Sequence, residues 1–132
     1  MLEVGAGSGY AAAVLSRIAR EVYAIERQPS LARDAADRLD KLGYRNVVLR
    51  VADGTEGWTE AAPFDAILVA AGSVTIPKAL KAQLAIGGRM VIPVGETDGQ
   101  NLLKIVRRGE TYFDEEYLGP VRFVPLIAGQ GG

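Results

Sequence analysis

The segment Leu2-Glu3-Val4-Gly5-Ala6-Gly7-Ser8-Gly9-Tyr10 runs a short apolar strand into three glycines at alternate positions, and a helical run follows. A glycine turn between a strand and a helix is the signature of α/β folds that bind nucleotide cofactors, because it lets a ligand rest against backbone at the strand's carboxyl end. The spacing discriminates further. A dinucleotide fingerprint needs a small residue three places after its second glycine, where the helix and strand backbones touch. Tyr10 stands there and is too large.

The rest of the chain alternates strand-like and helix-like segments. Tyr10–Arg20 reads as a helix, Val22-Tyr23-Ala24-Ile25 as a strand ending on Glu26, and Pro29–Leu42 as a second helix closed by Gly43. The second helix is expected to bury Leu31, Ala35, Leu39 and Leu42. Val47–Ala52, Ala66–Ala70 and Met90–Val94 are nearly continuous apolar runs, as expected of parallel strands covered on both faces. Pro77–Leu84 reads as a helix, and Asp53–Pro63 is near the lower limit for a parallel crossover and is expected to be mostly loop with at most a turn or two. Leu102–Arg107 and Tyr112–Leu118, joined around Gly109, predict an antiparallel hairpin at the sheet edge. Pro93 and Pro125 are expected to interrupt ladder bonding. The predicted fold is α/β: a Rossmann-like, doubly wound, mostly parallel sheet with a C-terminal antiparallel hairpin. Residues 1–127 are expected to form one domain, with 128–132 as a loose glycine-rich tail.

Composition narrows the chemistry. The chain of 132 residues is 48% apolar with net charge −1, and its Lys and Arg are interspersed with Asp and Glu, so no basic stripe is available to follow a nucleic-acid backbone. It contains no cysteine and no histidine, which removes thiolate chemistry, the usual general base and the commonest metal ligand. No apolar run approaches the roughly 20 residues that span a bilayer. No nucleic-acid, membrane or metal partner is expected, and the expected location is the cytoplasm.

In a doubly wound sheet, ligands bind where strand order reverses, at the strands' carboxyl ends. Glycines 5, 7 and 9 behind Glu3 give the acidic-x-Gly-x-Gly-x-Gly pattern found in S-adenosylmethionine-dependent methyltransferases. As a bare motif this leaves another nucleotide fold, or a purely structural turn, open. Glu26 is placed to accept hydrogen bonds from both ribose hydroxyls, and Asp53 from the adenine amine, with Gly54 letting the ring lie close. Ala70-Ala71-Gly72 offers small residues and carbonyls beside the methionine end. For each acidic residue, a solvated strand end or helix cap is the competing reading.

Beyond the glycine turn, Val22-Tyr23-Ala24-Ile25-Glu26-Arg27, Asp53-Gly54-Thr55-Glu56-Gly57-Trp58 and Ala62-Pro63-Phe64-Asp65 complete a longer pattern. Gly87-Gly88-Arg89-Met90-Val91-Ile92-Pro93-Val94-Gly95 and Pro120-Val121-Arg122-Phe123-Val124-Pro125-Leu126 extend it almost to the chain's end. Together they resemble the protein-L-isoaspartate (D-aspartate) O-methyltransferases. That resemblance implies S-adenosylmethionine held by Glu3, Gly5, Gly7, Ser8, Gly9, Glu26, Arg27, Asp53 and Gly54, and methyl transfer to the free carboxylate of isoaspartyl residues in damaged proteins. The substrate is then expected near Ala70, Ala71, Val124, Pro125 and Leu126. The composition suits this reaction, because the acceptor carboxylate has a reference pKa of about 3.5 and needs no base. The family carries a serine-bearing motif ahead of the glycine strand, whereas Met1 lies within that strand here, so no catalytic residue is assigned and turnover is expected to be low. Two other readings stay open: a methyltransferase for another acceptor, and a noncatalytic S-adenosylmethionine-binding module.

Overall fold

A computed structural model describes residues 1–5, 21–43, 45–96 and 99–121. The predicted helix over Tyr10–Arg20 lies outside them, as do Pro125 and the tail. The strands are β1 (Leu2–Val4), β2 (Val22–Glu26), β3 (Val47–Val51), β4 (Phe64–Val69), β5 (Leu84–Glu96), β6 (Gly99–Arg107) and β7 (Phe113–Val121), in a sheet of order β3-β2-β1-β4-β5-β6-β7. The first five are mutually parallel, while β5, β6 and β7 pair antiparallel. Strand order reverses at β1, whose Val4 pairs with Ile25 on one side and Val69 on the other.

Helix α1 (Pro29–Lys41) starts on a proline, which has no N–H to leave unsatisfied in the first turn. It ends with the Leu42 and Gly43 N–H groups bonded to the Arg38 and Asp40 carbonyls. Its buried residues are Ala32, Ala35 and Leu39, whereas Leu31 and Leu42 are 38% and 65% exposed. The expected apolar face is therefore rotated. Ala32 and Ala35, three residues apart, let the helix lie close to β2 and β3, Leu39 follows four residues on along the same face, and Leu31 and Leu42 flank that contact. Helix α2 (Lys78–Ala82) is shorter than the predicted Pro77–Leu84, and between Asp53 and Pro63 the chain forms only two 3-10 turns, Gly54–Glu56 and Thr59–Ala61.

Side chains alternate across the sheet, so Leu2, Val4, Ile25, Ile67, Val69, Met90, Ile92 and Ile105 share one buried cluster with Phe64, Leu80 and Leu84. Val22 and Ala24 form a second cluster with Val47 and Leu49. The fifth strand is longer than the predicted Met90–Val94, and only its β4 side is parallel. Pro93 does not interrupt it: pairing with β6 is continuous from Arg89–Val106 to Glu96–Gly99. The proline's nitrogen points to the other side, beyond the end of β4, where its carbonyl accepts the Ser73 N–H at 3.1 Å. A missing donor costs no ladder bond there.

The predicted hairpin is present as β6 and β7. Arg107 fastens its turn to the α2–β5 junction, donating to the carbonyls of Leu84 (2.6 Å), Glu110 (2.8 Å) and Gly109 (3.1 Å). The neighbouring Arg108–Asp114 pair is short at 2.7 Å, but both side chains are about half exposed. Solvent screening limits such a pair, so Asp114→Ala should lower stability by less than about 1 kcal/mol in urea denaturation. A larger loss would show the pair to be essential to the hairpin.

Candidate functional site

The parallel strands end level with one another, and hydrogen bonds carry the ladder just past them. The Gly5 N–H donates to Ile25 O at 2.8 Å, Ala70 N–H to Val4 O at 2.9 Å, and Ala52 N–H to Glu26 O at 3.3 Å. Above these ends lies an open cleft of about 520 Å³ walled by Val4, Gly5, Ile25, Glu26, Arg27, Gln28, Leu31, Gly54, Ala70 and Ala71. It sits at the reversal of strand order, where open α/β sheets bind ligands. Gly5, just past the end of β1, has φ of +88°. A Cβ there would be 3.6 Å from the Ala70 carbonyl, an ordinary contact, so glycine is favoured by the backbone angle rather than by lack of space.

Glu26 is the acidic group of the wall and is 7% exposed. Its Oε2 accepts the Gln28 N–H at 2.9 Å, which fixes the carboxylate as the chain leaves β2 for α1. Arg27, Gly54, Ala70 and Ala71 also line the cleft. Asp53 stands one residue behind the wall. Its Oδ1 accepts the Thr55 N–H at 2.9 Å and the Thr55 hydroxyl at 2.7 Å, so it caps the Gly54–Glu56 turn and thereby presents Gly54 to the cleft.

Glu3 does not line the cleft. In the middle of β1, paired between Ala24 and Leu68, it is fully buried, and among the described residues neither carboxylate oxygen has a hydrogen-bond partner. Burial pushes its carboxyl up to about 7. Gly7, Ser8, Gly9, Val124, Pro125 and Leu126 lie outside the described residues. Sequence reasoning missed Leu31, Gln28, Ile25 and Val4 as wall residues. For Leu31 a signal existed: as an apolar residue in the first turn of α1, it lies off the Ala32–Ala35–Leu39 face. Among the described residues no cluster of three or more Asp or Glu could hold a metal ion, and no helix is long and apolar enough to cross a membrane.

The protein-L-isoaspartate(D-aspartate) O-methyltransferase family model matches residues 1–131. A protein-L-isoaspartate O-methyltransferase of Methylorubrum extorquens is 58% identical over 131 residues, and one of Pelobacter propionicus is 54% identical over 132. Each alignment covers 99% of this chain but 57% and 59% of the relative, so the chain spans about 60% of the length of the proteins it matches. Among solved structures, a protein-L-isoaspartate O-methyltransferase superposes with a TM-score of 0.90 at 30% identity, covering 98% of this chain and 42% of that one. A putative member from Plasmodium falciparum, in complex with S-adenosyl-L-homocysteine, superposes with a TM-score of 0.81 at 25% identity over 96% of this chain and 64% of its own. An rRNA methylase from Streptococcus thermophilus reaches 0.56 over 70% of this chain and 60% of its own, at 27% identity, a looser likeness than to the first two. With its strand order, its level strand ends and a family match that runs nearly end to end, this chain belongs to the protein-L-isoaspartate(D-aspartate) O-methyltransferase family.

Proposed function

We propose that the chain binds S-adenosylmethionine in the cleft above β1, β2 and β4 and transfers its methyl group to the free carboxylate of L-isoaspartyl or D-aspartyl residues in damaged proteins. The observation that carries the reading is the convergence of Gly5, Glu26, Gly54 and Ala70-Ala71 on one cleft at the reversal of strand order. The residues present fit the cofactor. Glu26 offers a fixed, nearly buried carboxylate to a pair of vicinal hydroxyls, Leu31 and Ile25 offer apolar surface to a ring, and Gly54 lets the ring approach backbone. On this reading Arg27 also serves the cofactor, with Glu3 and Asp53 supporting the wall from behind and Gly7, Ser8 and Gly9 completing the turn. Ala70 and Ala71 face the substrate together with Val124, Pro125 and Leu126.

When bound, S-adenosylmethionine supplies an electrophilic methyl on a sulfonium. The remaining requirements are alignment of an already ionised carboxylate with that methyl and exclusion of water from it; orientation alone is worth roughly 7–11 kcal/mol of barrier. Small residues at 70 and 71 leave room for a peptide backbone beside the cleft. We further propose that residues 1–127 act as one domain, that the protein works in the cytoplasm, and that nucleic acid, membrane and metal take no part.

Transfer of labelled methyl from S-adenosylmethionine to matched isoaspartyl and aspartyl peptides tests the proposal. Labelling of the isoaspartyl peptide alone is expected, and equal labelling of both, or of neither, overturns it. The same assay checks the metal prediction. Because the acceptor arrives ionised, EDTA should leave the rate unchanged, and a loss restored by a divalent ion would refute the mechanism.

A further inference from the structure

We propose that Gln83, at the end of α2 and outside the cleft wall, is a positioning residue for the cofactor cleft: it locks the Gly54–Thr59 segment whose first residue forms part of that wall. The inference rests on the cofactor reading given above. Gln83 is 7% exposed, and its carboxamide is committed to this segment. Its Oε1 accepts the Trp58 N–H at 2.8 Å, and its Nε2 donates to the Glu56 carbonyl at 2.9 Å and the Thr59 hydroxyl at 3.4 Å. Its main chain is fixed as well. The carbonyl accepts the Phe64 N–H at 2.7 Å, joining the end of α2 to the start of β4, and the N–H donates to Ala79 O at 3.1 Å.

The segment is shaped around this side chain. Gly57 has φ of +65°, and a Cβ there would come 2.2 Å from Gln83 Oε1, so only glycine lets the carboxamide in. The turn it holds is closed by the Gly57 N–H donating to Gly54 O at 3.2 Å and the Glu56 N–H donating to Asp53 O at 3.2 Å. Moving the Glu56 carbonyl therefore moves Gly54, the cleft-facing residue, and loosens the Asp53 cap. Trp58, the only tryptophan of the chain, rests edge-on to Tyr23 with ring centres 5.1 Å apart and lies 4.2 Å below the Arg50 guanidinium carbon. A shift of the segment changes both contacts, which makes Trp58 fluorescence a direct reporter.

The test is Gln83→Met, which keeps the length of the side chain and removes its hydrogen bonds. Two quantities are measured on the 132-residue chain and its variants: Trp58 emission without ligand, and the dissociation constant for S-adenosyl-L-homocysteine. The expected result is a shifted emission together with roughly tenfold weaker binding, the scale of losing one or two net hydrogen bonds. Ile105→Ala, a core change on β6, serves as a control for stability loss alone and should leave the dissociation constant within about twofold. Gly57→Ala reaches the same lock from the loop side and should reproduce the Gln83→Met result if that variant fails to fold. A shifted emission with unchanged binding overturns the positioning role and leaves the cofactor reading standing. Unchanged emission in folded Gln83→Met overturns the lock itself. Failure of the parent chain to bind S-adenosyl-L-homocysteine overturns the cofactor reading, and the positioning role with it.

Discussion

Replacing Glu3 by glutamine is expected to stabilise the protein at pH 8 and to leave its stability nearly unchanged at pH 4. The carboxyl is fully buried in β1, lacks a hydrogen-bond partner among the described residues, and has its pKa raised from 4.5 to about 7. Between those two values the folded chain keeps a proton that the unfolded chain releases. Stability contributed by the protonated group is thus complete below about pH 4.5 and is lost as pH rises through 7. The glutamine variant carries no such titration. Its advantage should grow across this window and level off at on the order of 3–4 kcal/mol, since each unit of pKa difference corresponds to about 1.4 kcal/mol. Urea denaturation of both proteins at pH 4 and pH 8 gives the difference directly. A difference independent of pH would mean that Glu3 does not titrate in a dry site. A carboxylate in the middle of a central strand is a local cost that packing does not explain, and such exceptions concentrate at functional sites. Its position directly before the cleft-facing Val4 and Gly5 is consistent with that.

The features legible in the sequence were those set by local chemistry. The apolar strands and the Gly109 hairpin announce themselves through side-chain period and backbone requirements, as does the glycine that follows β1 at position 5, and Glu26 is recognisable as a carboxylate at a strand's end. What was not legible depends on partners distant in sequence. The length of β5 was hidden because Gly87-Gly88 and Pro93 look like breakers. The glycines instead fall where pairing with β4 shifts register between Phe64 and Ala66, and the proline faces a gap beyond β4. Periodicity puts Leu31, Ala35, Leu39 and Leu42 on the buried face of α1, and of these Ala35 and Leu39 are buried, with Ala32 taking the place of the exposed Leu31 and Leu42. That displacement also put Leu31 on the cleft wall. Gln83 gave no local signal, since its partners lie 24 to 27 residues away. For Asp53 the sequence suggests a direct contact with an adenine amine, whereas its Oδ1 accepts from the Thr55 N–H and hydroxyl, a local cap that a residue list alone does not reveal.

Glu26→Ala should weaken binding of S-adenosyl-L-homocysteine by roughly 1.5–3 kcal/mol, about ten- to 150-fold, the range for hydrogen bonds to a charged group. The substitution has a second consequence that must be separated from the first. Glu26 Oε2 also accepts the Gln28 N–H at the entrance to α1, so alanine leaves that donor without its acceptor and costs stability whether or not a ligand binds. Comparing ligands resolves the two effects. An analogue of S-adenosyl-L-homocysteine lacking both ribose hydroxyls cannot use the carboxylate, so its affinity should be similar for the parent chain and Glu26→Ala. The loss should appear only with the ligand that carries the hydroxyls. Glu26→Gln, which retains an acceptor for Gln28 but not the charge, should fall between the two proteins. Calorimetric titration of the three proteins with the two ligands provides the cycle. If alanine weakens both ligands equally, Glu26 shapes the wall through Gln28 and does not contact the ribose. If it weakens neither in a folded variant, the carboxylate is only the end of β2, and the ligand's hydroxyls must be met by another part of the chain.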